Sequence, residues 1–223
     1  MTSFLPLGSP ALGLAFIVLA VVMALAVGGA LGSWRGMLAA MVWLALTGGL
    51  ASSGVLARFS AVPPPMLLLL VSSLGLTLWL GLSSAGRALA RLPLAVLIGA
   101  QAFRIAVELR IHWAVDEGIA PVQMTWTGLN FDILTGLTAL VVAPLAARLP
   151  RPVLLVWNTL GLGLLLWVVG VAVLSMPTPL QRLHPSNTWV AFFPFVWLPA
   201  VLVPCALVGH VALFRKLAGP SRS

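Results

Sequence analysis

Residues 101–132 read QAFRIAVELRIHWAVDEGIAPVQMTWTGLNFD and contain all four acidic residues of the chain, Glu108, Asp116, Glu117 and Asp132. The sequence on both sides of this window is almost uniformly apolar. A charged side chain at the centre of a membrane helix costs about 2.5–3.5 kcal/mol on insertion scales, so charges persist there where they pair, line a cavity or take part in chemistry. We therefore expect the functional site in this window.

The composition indicates an integral membrane protein. Hydrophobic residues make up 61% of the chain and charged residues 7%, which leaves too little polar surface to cover a soluble globule. The formal charge is +8, but Arg and Lys are scattered at the ends of apolar runs without a basic cluster, so we predict no nucleic-acid partner. A single cysteine, Cys205, excludes an internal disulfide.

The length of the apolar runs predicts about seven transmembrane helices. A bilayer core about 30 Å thick needs about 20 apolar residues per helix. Clusters of Pro, Gly and Arg, such as the three prolines at 63–65, separate the runs. We predict an all-α, polytopic membrane protein in which residues 1–223 form a single transmembrane helical domain. The predicted spans are residues 11–31, 36–56, 66–84, 94–115, 131–147, 153–174 and 193–214.

The distribution of Arg and Lys between the two sides predicts the orientation. With the N-terminus outside and the C-terminus inside, the outer loops hold only Arg58 and Arg182. Arg outnumbers Lys eleven to one, which favours a GC-rich bacterium and hence its inner, cytoplasmic membrane. The residues assigned to the inner side are Arg35, Arg87, Arg91, Arg148, Arg151, Arg215, Lys216 and Arg222.

Prolines in the seventh span predict a break in its regular hydrogen bonding. Pro199 and Pro204 each lack a backbone N–H. The carbonyls near Phe195 and Ala200 consequently need another donor, which a neighbouring helix, a water or an ion would supply. In the inner half of their spans, Asn158 and His210 are expected to hydrogen-bond across helices.

One face of the fourth span carries a polar stripe. At about 100° per residue, five polar residues of this span share that face. Arg104 lies near mid-bilayer, too deep for easy snorkelling, and Glu108 one turn away is its expected partner. The polar residues continue toward the outer side, where Asn130 and Asp132 also fit the cap and first turn of the fifth span. The candidate ligand-binding residues are Gln101, Arg104, Glu108, His112, Asp116, Asn130 and Asp132.

A metal site is an alternative use of the same residues. Glu108 and His112 lie one turn apart, and Asp132 or His184 would complete a set of ligands. The chain has no HExxH motif and no clustered histidines, so we predict no cofactor and keep the metal as an alternative. Lys216, the single lysine, follows the seventh span and leaves no buried amine for a Schiff base.

Two runs in the C-terminal half resemble a known class of sequence. RIAVELRIH (104–112) and MTWTGLNFDILTG (124–136) are similar to segments of uncharacterised bacterial multi-pass membrane proteins. The resemblance covers residues 101–215. It implies the class of protein and assigns no residue a role.

The sequence favours an outward-facing polar pocket that binds a small polar or anionic ligand, with binding coupled to transport or to protonation. Arg104 would anchor an anionic group, Glu108 would be its counter-ion or proton carrier, and His112 would be a titratable gate. One alternative is a membrane-embedded enzyme that acts on a lipid or amphiphile, with a metal ion in one version. The other is a structural subunit whose polar stripe contacts a second copy or a partner helix. Lipid surrounds the protein in all three.

Overall fold

The computed structural model describes residues 8–219, and this part of the chain is helical without a β-strand. Five helical segments are long and apolar enough to cross a membrane, as expected for a helical membrane protein. Residues 1–7 and 220–223, and with them the predicted inner-side residue Arg222, lie outside the described residues. The helices are α1 (Pro10–Ala30), α2 (Trp34–Ser52), α3 (Pro65–Leu82), α4 (Gly86–Arg91), α5 (Leu94–Ala100), α6 (Phe103–Asp116), α7 (Ile133–Leu145), α8 (Arg151–Ser175) and α9 (Val203–Ala218).

Helix α9 lies at the centre of the bundle. It packs against α3, α4, α5 and α8, and the turn that precedes it packs against α1 and α3. The outer faces of the surrounding helices expose large apolar side chains, such as Leu14 and Val18 on α1 and Val71 on α3. Such faces are unfavourable in water and favourable against lipid tails, so the bundle presents its apolar surface to the membrane.

The start of α1 is held by local capping. Ser9 is its N-cap residue, and its hydroxyl accepts a hydrogen bond from the amide of Leu12 at 3.2 Å. Pro10 occupies the first turn, where a missing N–H costs nothing. The same Ser9 donates to Glu117 from its amide (2.7 Å) and its hydroxyl (2.5 Å), which ties the start of α1 to the end of α6. These hydrogen bonds lower the pKa of the Glu117 carboxyl.

The last span begins with a π-helical turn, Leu198–Leu202, and continues as α9. Because Pro204 has no N–H, the carbonyl of Ala200 lacks its usual helical donor. The indole of Trp43 on α2 donates to this carbonyl at 2.8 Å, and the indole of Trp197 donates back to the carbonyl of Leu44 at 3.1 Å. Of the three kinds of donor that the sequence left open, a neighbouring helix therefore supplies the one at Ala200.

The predicted fourth span is divided into two helices, which corrects the expectation of one regular helix over 94–115. The amides of Gln101 and Ala102 bond to the carbonyls of Ile98 and Gly99, three residues earlier rather than four. The chain thus tightens into a 3₁₀-like turn between α5 and α6. Gln101 sits in this turn, apart from the regular stripe on α6.

The predicted fifth span, residues 131–147, is also shorter than expected, because α7 begins at Ile133 and ends at Leu145. Its 13 residues extend over about 20 Å, less than the bilayer core. The preceding segment, residues 119–132, folds into the bundle and buries Met124, Thr125 and Asn130. Non-helical backbone is tolerated at membrane depth where protein covers it, so this loop shortens α7 without exposing its backbone to lipid.

Candidate functional site

Arg104 on α6 forms an ion pair with Asp132, which directly precedes α7. Nη1 of Arg104 lies 2.7 Å from Oδ1 of Asp132, and the two side chains are 2% and 13% exposed. This corrects the predicted intrahelical pair of Arg104 with Glu108. An acidic residue four positions after its cation is the less favourable helical order, and the inward fold of residues 119–132 brings in Asp132 as a competing partner.

Two further helices contribute acceptors to the Arg104 guanidinium. Nη1 also donates to the carbonyl of Gly161 on α8 at 3.3 Å, and Nη2 lies 3.0 Å from Nε2 of His210 on α9. Asn158 on α8 completes the network, because its Oδ1 lies 2.7 Å from Nδ1 of His210 and its Nδ2 donates to the His210 carbonyl at 3.1 Å. The predicted hydrogen bonding of Asn158 and His210 across helices is confirmed, whereas their connection to Arg104 was not predicted.

The hydrogen bonds around His210 determine its tautomer. A guanidinium has only donors, so Nε2 of His210 must accept from Arg104 and carry no proton. The proton then resides on Nδ1, which donates to Oδ1 of Asn158. His210 is therefore neutral in this arrangement, and Asp132 supplies the negative charge that balances Arg104.

Two glycines allow the four helices to approach Arg104 closely. A Cβ atom on Gly136 of α7 would lie 2.9 Å from Cγ1 of Ile105 and 3.4 Å from Cβ of Arg104. A Cβ atom on Gly161 would lie 2.9 Å from Cε1 of His210. Contacts this short are not tolerated without a shift, so these positions keep α6, α7, α8 and α9 together around the guanidinium.

Glu108 is buried without a counter-ion. Its side chain is 2% exposed, and Oε2 accepts a hydrogen bond from Nδ2 of Asn130 at 2.6 Å. Asn130 also donates to the carbonyl of Met124 at 2.9 Å, which fixes its amide group. The other carboxyl oxygen, Oε1, has no partner within hydrogen-bond geometry. Within residues 8–219, no cationic side chain pairs with Glu108.

A narrow cavity of about 60 Å³ adjoins these residues. Its polar lining residues include Arg104, Glu108, Asn130 and Asp132. Its walls are aliphatic and come from α3, α6, α8 and the π-helical turn before α9, so the cavity joins a charged cluster to an apolar interior. The wall residues include Leu70, Val107, Leu165, Val168, Leu198 and Val203.

Three of the predicted ligand-binding residues lie away from this cavity. Gln101 is buried against α9, where its Nε2 donates to the carbonyl of Ala206 at 3.3 Å. His112 stacks on Trp126, with ring centroids 3.6 Å apart and planes 8° from parallel. Asp116 is exposed and makes no side-chain hydrogen bond or ion pair with residues 8–219. The structure thus brings together Arg104, Glu108, Asn130 and Asp132 of the predicted set.

The geometry does not assemble the predicted metal alternative. Among the described residues, no group of three His, Cys, Asp or Glu side chains is placed to hold a metal ion. Asp132 is bound to Arg104 and the His112 ring is stacked on Trp126, so neither is directed to a common point with Glu108.

Comparisons with family models, with curated proteins and with solved structures find no match for this chain. The function of the site must therefore be argued from its own chemistry. The charge of the Arg104 guanidinium is balanced by Asp132, whereas the Glu108 carboxyl has no counter-ion among the described residues.

A double-mutant cycle tests the ion pair. Arg104→Met and Asp132→Asn each leave one charge buried without a partner, so each should lower the free energy of unfolding by about 3–5 kcal/mol. The double variant should lose less than the sum of the two, by about 2 kcal/mol or more, in unfolding titrations of the protein in detergent micelles. In the matched cycle, Arg104→Met with Glu108→Gln should couple by at most about 0.5 kcal/mol. Stronger coupling to Glu108 than to Asp132 would contradict this assignment.

Proposed function

We propose that this protein is a seven-span membrane protein that binds a small charged ligand in the cavity at Glu108, and that binding is coupled to protonation of the Glu108 carboxyl. The observation that carries the proposal is a buried carboxyl, with one unpartnered oxygen, in the lining of a mostly apolar cavity. An enclosed charge of this kind is costly unless something neutralises it.

The charge of the surrounding cluster leaves two ways to neutralise Glu108. Asp132 already balances Arg104, and the hydrogen bonds of His210 keep its imidazole neutral. The Glu108 carboxyl therefore carries either a proton or a cationic partner that enters the cavity. Exchange between these two states couples ligand binding to proton uptake and release, which is the basis of many proton-coupled transport steps.

We further propose that the chain lies in a bacterial inner membrane with its N-terminus outside and its C-terminus inside. Helices α5 and α6 have 7 and 14 residues, a combined helical length of about 32 Å, which suffices for one crossing, and α7 with the buried loop before it supplies another. Arg215 donates to the carbonyls of Gly81 and Ser83, and Lys216 lies 3.4 Å from the carbonyl of Ala90. Through these contacts the basic C-terminal end of α9 lies beside the segment that contains Arg87 and Arg91, which supports one common side of the membrane for both.

Reporter fusions test this topology. A reporter fused after Arg222 should be cytoplasmic, because the basic end of α9 is retained on the inner side. A reporter inserted in the loop that follows Asp116 should be periplasmic. The activities of a paired alkaline phosphatase and fluorescent protein would locate both points, and finding both on one side would contradict an odd number of crossings between them.

Reaction with a hydrophobic carbodiimide tests the proposed role of Glu108. Dicyclohexylcarbodiimide partitions into membranes and reacts with the protonated form of a carboxyl group to give a stable N-acylurea. We expect labelling at Glu108 in the intact protein, and its rate should fall as the pH rises because the reactive form is the acid. Peptide mass mapping identifies the labelled residue.

Two variants serve as controls for this reaction. Glu108→Gln should abolish the label while its side-chain oxygen still accepts a hydrogen bond from Asn130. Glu117→Gln should leave the label unchanged, because Glu117 lies at the end of α6 beside Ser9 and outside the cavity. Absence of label at Glu108, or a rate that does not change with pH, would overturn the proposed function.

A further inference from the structure

The unpartnered polar atoms along the cavity indicate which chemical groups its ligand carries. Three lining residues have a buried side-chain atom without a hydrogen-bond partner: Glu108 at Oε1, Asn187 at Oδ1 and Arg104 at Nε. Two of these three atoms are acceptors, and one of them belongs to a carboxyl without a counter-ion. The cavity therefore calls for a ligand that donates hydrogen bonds.

The position of the Asn187 acceptor is fixed by its own contacts. Its Nδ2 donates to the carbonyl of Ala172 on α8 at 3.3 Å and also lies 4.0 Å from Sδ of Met124. Asn187 is fully buried, so its Oδ1 is not available to bulk water. Glu108 and Asn187 thus each have a buried oxygen without a partner, and both residues line the same cavity.

The sign of the cluster favours a cation over an anion. Arg104 retains one unpartnered donor, Nε, which by itself would attract an anionic group. An anion at that point would lie close to the carboxyls of both Asp132 and Glu108, against only one guanidinium. When Glu108 is ionised, two carboxylates face one guanidinium in a medium of low dielectric, so the net negative charge of the cluster disfavours an anion.

The walls of the cavity favour an organic cation over an inorganic one. Apart from the polar cluster and Asn187, the lining is aliphatic or contains methionine sulfur. Hard metal cations need several oxygen ligands to replace their water, and this cavity supplies too few. A short hydrocarbon chain, by contrast, gains free energy from contact with Val107, Leu165 and Val168.

The absence of an aromatic lining distinguishes between classes of organic cation. Quaternary ammonium groups are recognised by aromatic rings through cation–π contacts. The cavity within residues 8–219 is lined by no Phe, Trp or Tyr. A primary ammonium group, which has three N–H donors, matches the free oxygens of Glu108 and Asn187 instead.

We infer that the cavity binds a primary organic ammonium ion with a short apolar chain, whose ammonium group pairs with Glu108 and whose chain lies between α3, α6 and α8. This inference rests on the proposed function and specifies its ligand. The cation replaces the proton at Glu108, so the two compete for one carboxyl. The sequence favoured a polar or anionic ligand with Arg104 as the anchor for an anionic group. A cationic ligand replaces it here, because Asp132 already neutralises Arg104.

Competition with the proton sets the direction of the pH dependence. The titratable groups around Glu108 are Arg104 and His112 on α6, Asp132 at the start of α7 and His210 on α9, whereas α3 and α8 contribute apolar side chains to the cavity. Among these groups, Glu108 alone both lines the cavity and lacks a counter-ion. Ammonium binding should therefore strengthen as the pH rises and Glu108 ionises, up to the pH at which the amine itself loses its proton.

Direct binding of tritiated n-propylammonium to the purified full-length protein tests the inference. In a scintillation proximity assay at neutral pH, we expect saturable binding that unlabelled n-butylammonium displaces. Propionate and tetramethylammonium should not displace it, because the first has the wrong charge and the second has no N–H donor. Displacement by propionate, or equal displacement by tetramethylammonium, would overturn the inference.

Two variants separate the charge of the ligand from its chain. Glu108→Gln should weaken n-propylammonium binding by at least about tenfold, because it removes the charge-assisted hydrogen bond. Ala172→Leu narrows the cavity at α8 and should weaken n-butylammonium more than methylammonium, while leaving Glu108 intact. Glu117→Gln is the matched control that should bind n-propylammonium as the unmodified protein does. Unchanged binding in both cavity variants would overturn the inference.

The carbodiimide reaction distinguishes the two levels of failure. If Glu108 reacts with carbodiimide in a pH-dependent manner but no alkylammonium ion binds, the ammonium inference is wrong and the protonatable site at Glu108 stands. If Glu108 does not react and no alkylammonium ion binds, both the ammonium inference and the proposed function are wrong.

Discussion

A guanidinium buried among apolar helices requires a counter-charge and hydrogen-bond acceptors, and the helices around Arg104 supply both for its two terminal nitrogens. Asp132 before α7 supplies the negative charge, Gly161 on α8 supplies a carbonyl, and His210 on α9 supplies a neutral ring nitrogen. Leaving such a charge unpaired would cost several kcal/mol, roughly as much as the net stability of a small protein. The contacts of Arg104 depend on the close approach of these helices and on the inward fold of residues 119–132. The same fold shortens α7.

The pairing of Arg104 with Asp132 has a direct consequence for Glu108. The cation that is nearest in sequence is already bound, so the second buried carboxyl keeps only a neutral partner, Asn130. A fold selected for stability alone has little reason to keep an acid in this position. The acid also lines a cavity. The same contact that holds the bundle together therefore leaves a buried carboxyl beside this space that has no counter-ion within residues 8–219.

The all-helical membrane class, with five long apolar helices, and the burial of Arg104 and Glu108 could be predicted from the sequence, because they follow from local composition and helical periodicity. The break at Gln101 and the length of α7 could not, since they depend on where residues 119–132 fold. The same dependence explains the incorrect partner for Arg104: helical spacing offers Glu108, whereas the tertiary fold offers Asp132. His210 and Asn158 were expected to hydrogen-bond across helices, but helical spacing gave no sign that their partners would be each other and Arg104.

The central claim is that Glu108, and not Asp132, is the acid that lacks a counter-ion, and infrared spectroscopy of the protein in bilayers tests it most directly. Only four acidic residues contribute to the carboxyl region of the spectrum, which makes assignment by substitution practical. Lowering the pH from alkaline to acid should produce the C=O band of a protonated carboxyl in apolar surroundings, and Glu108→Gln should remove it. If that first band instead persists in Glu108→Gln and disappears in Asp132→Asn, then Arg104 pairs with Glu108 and the account is wrong.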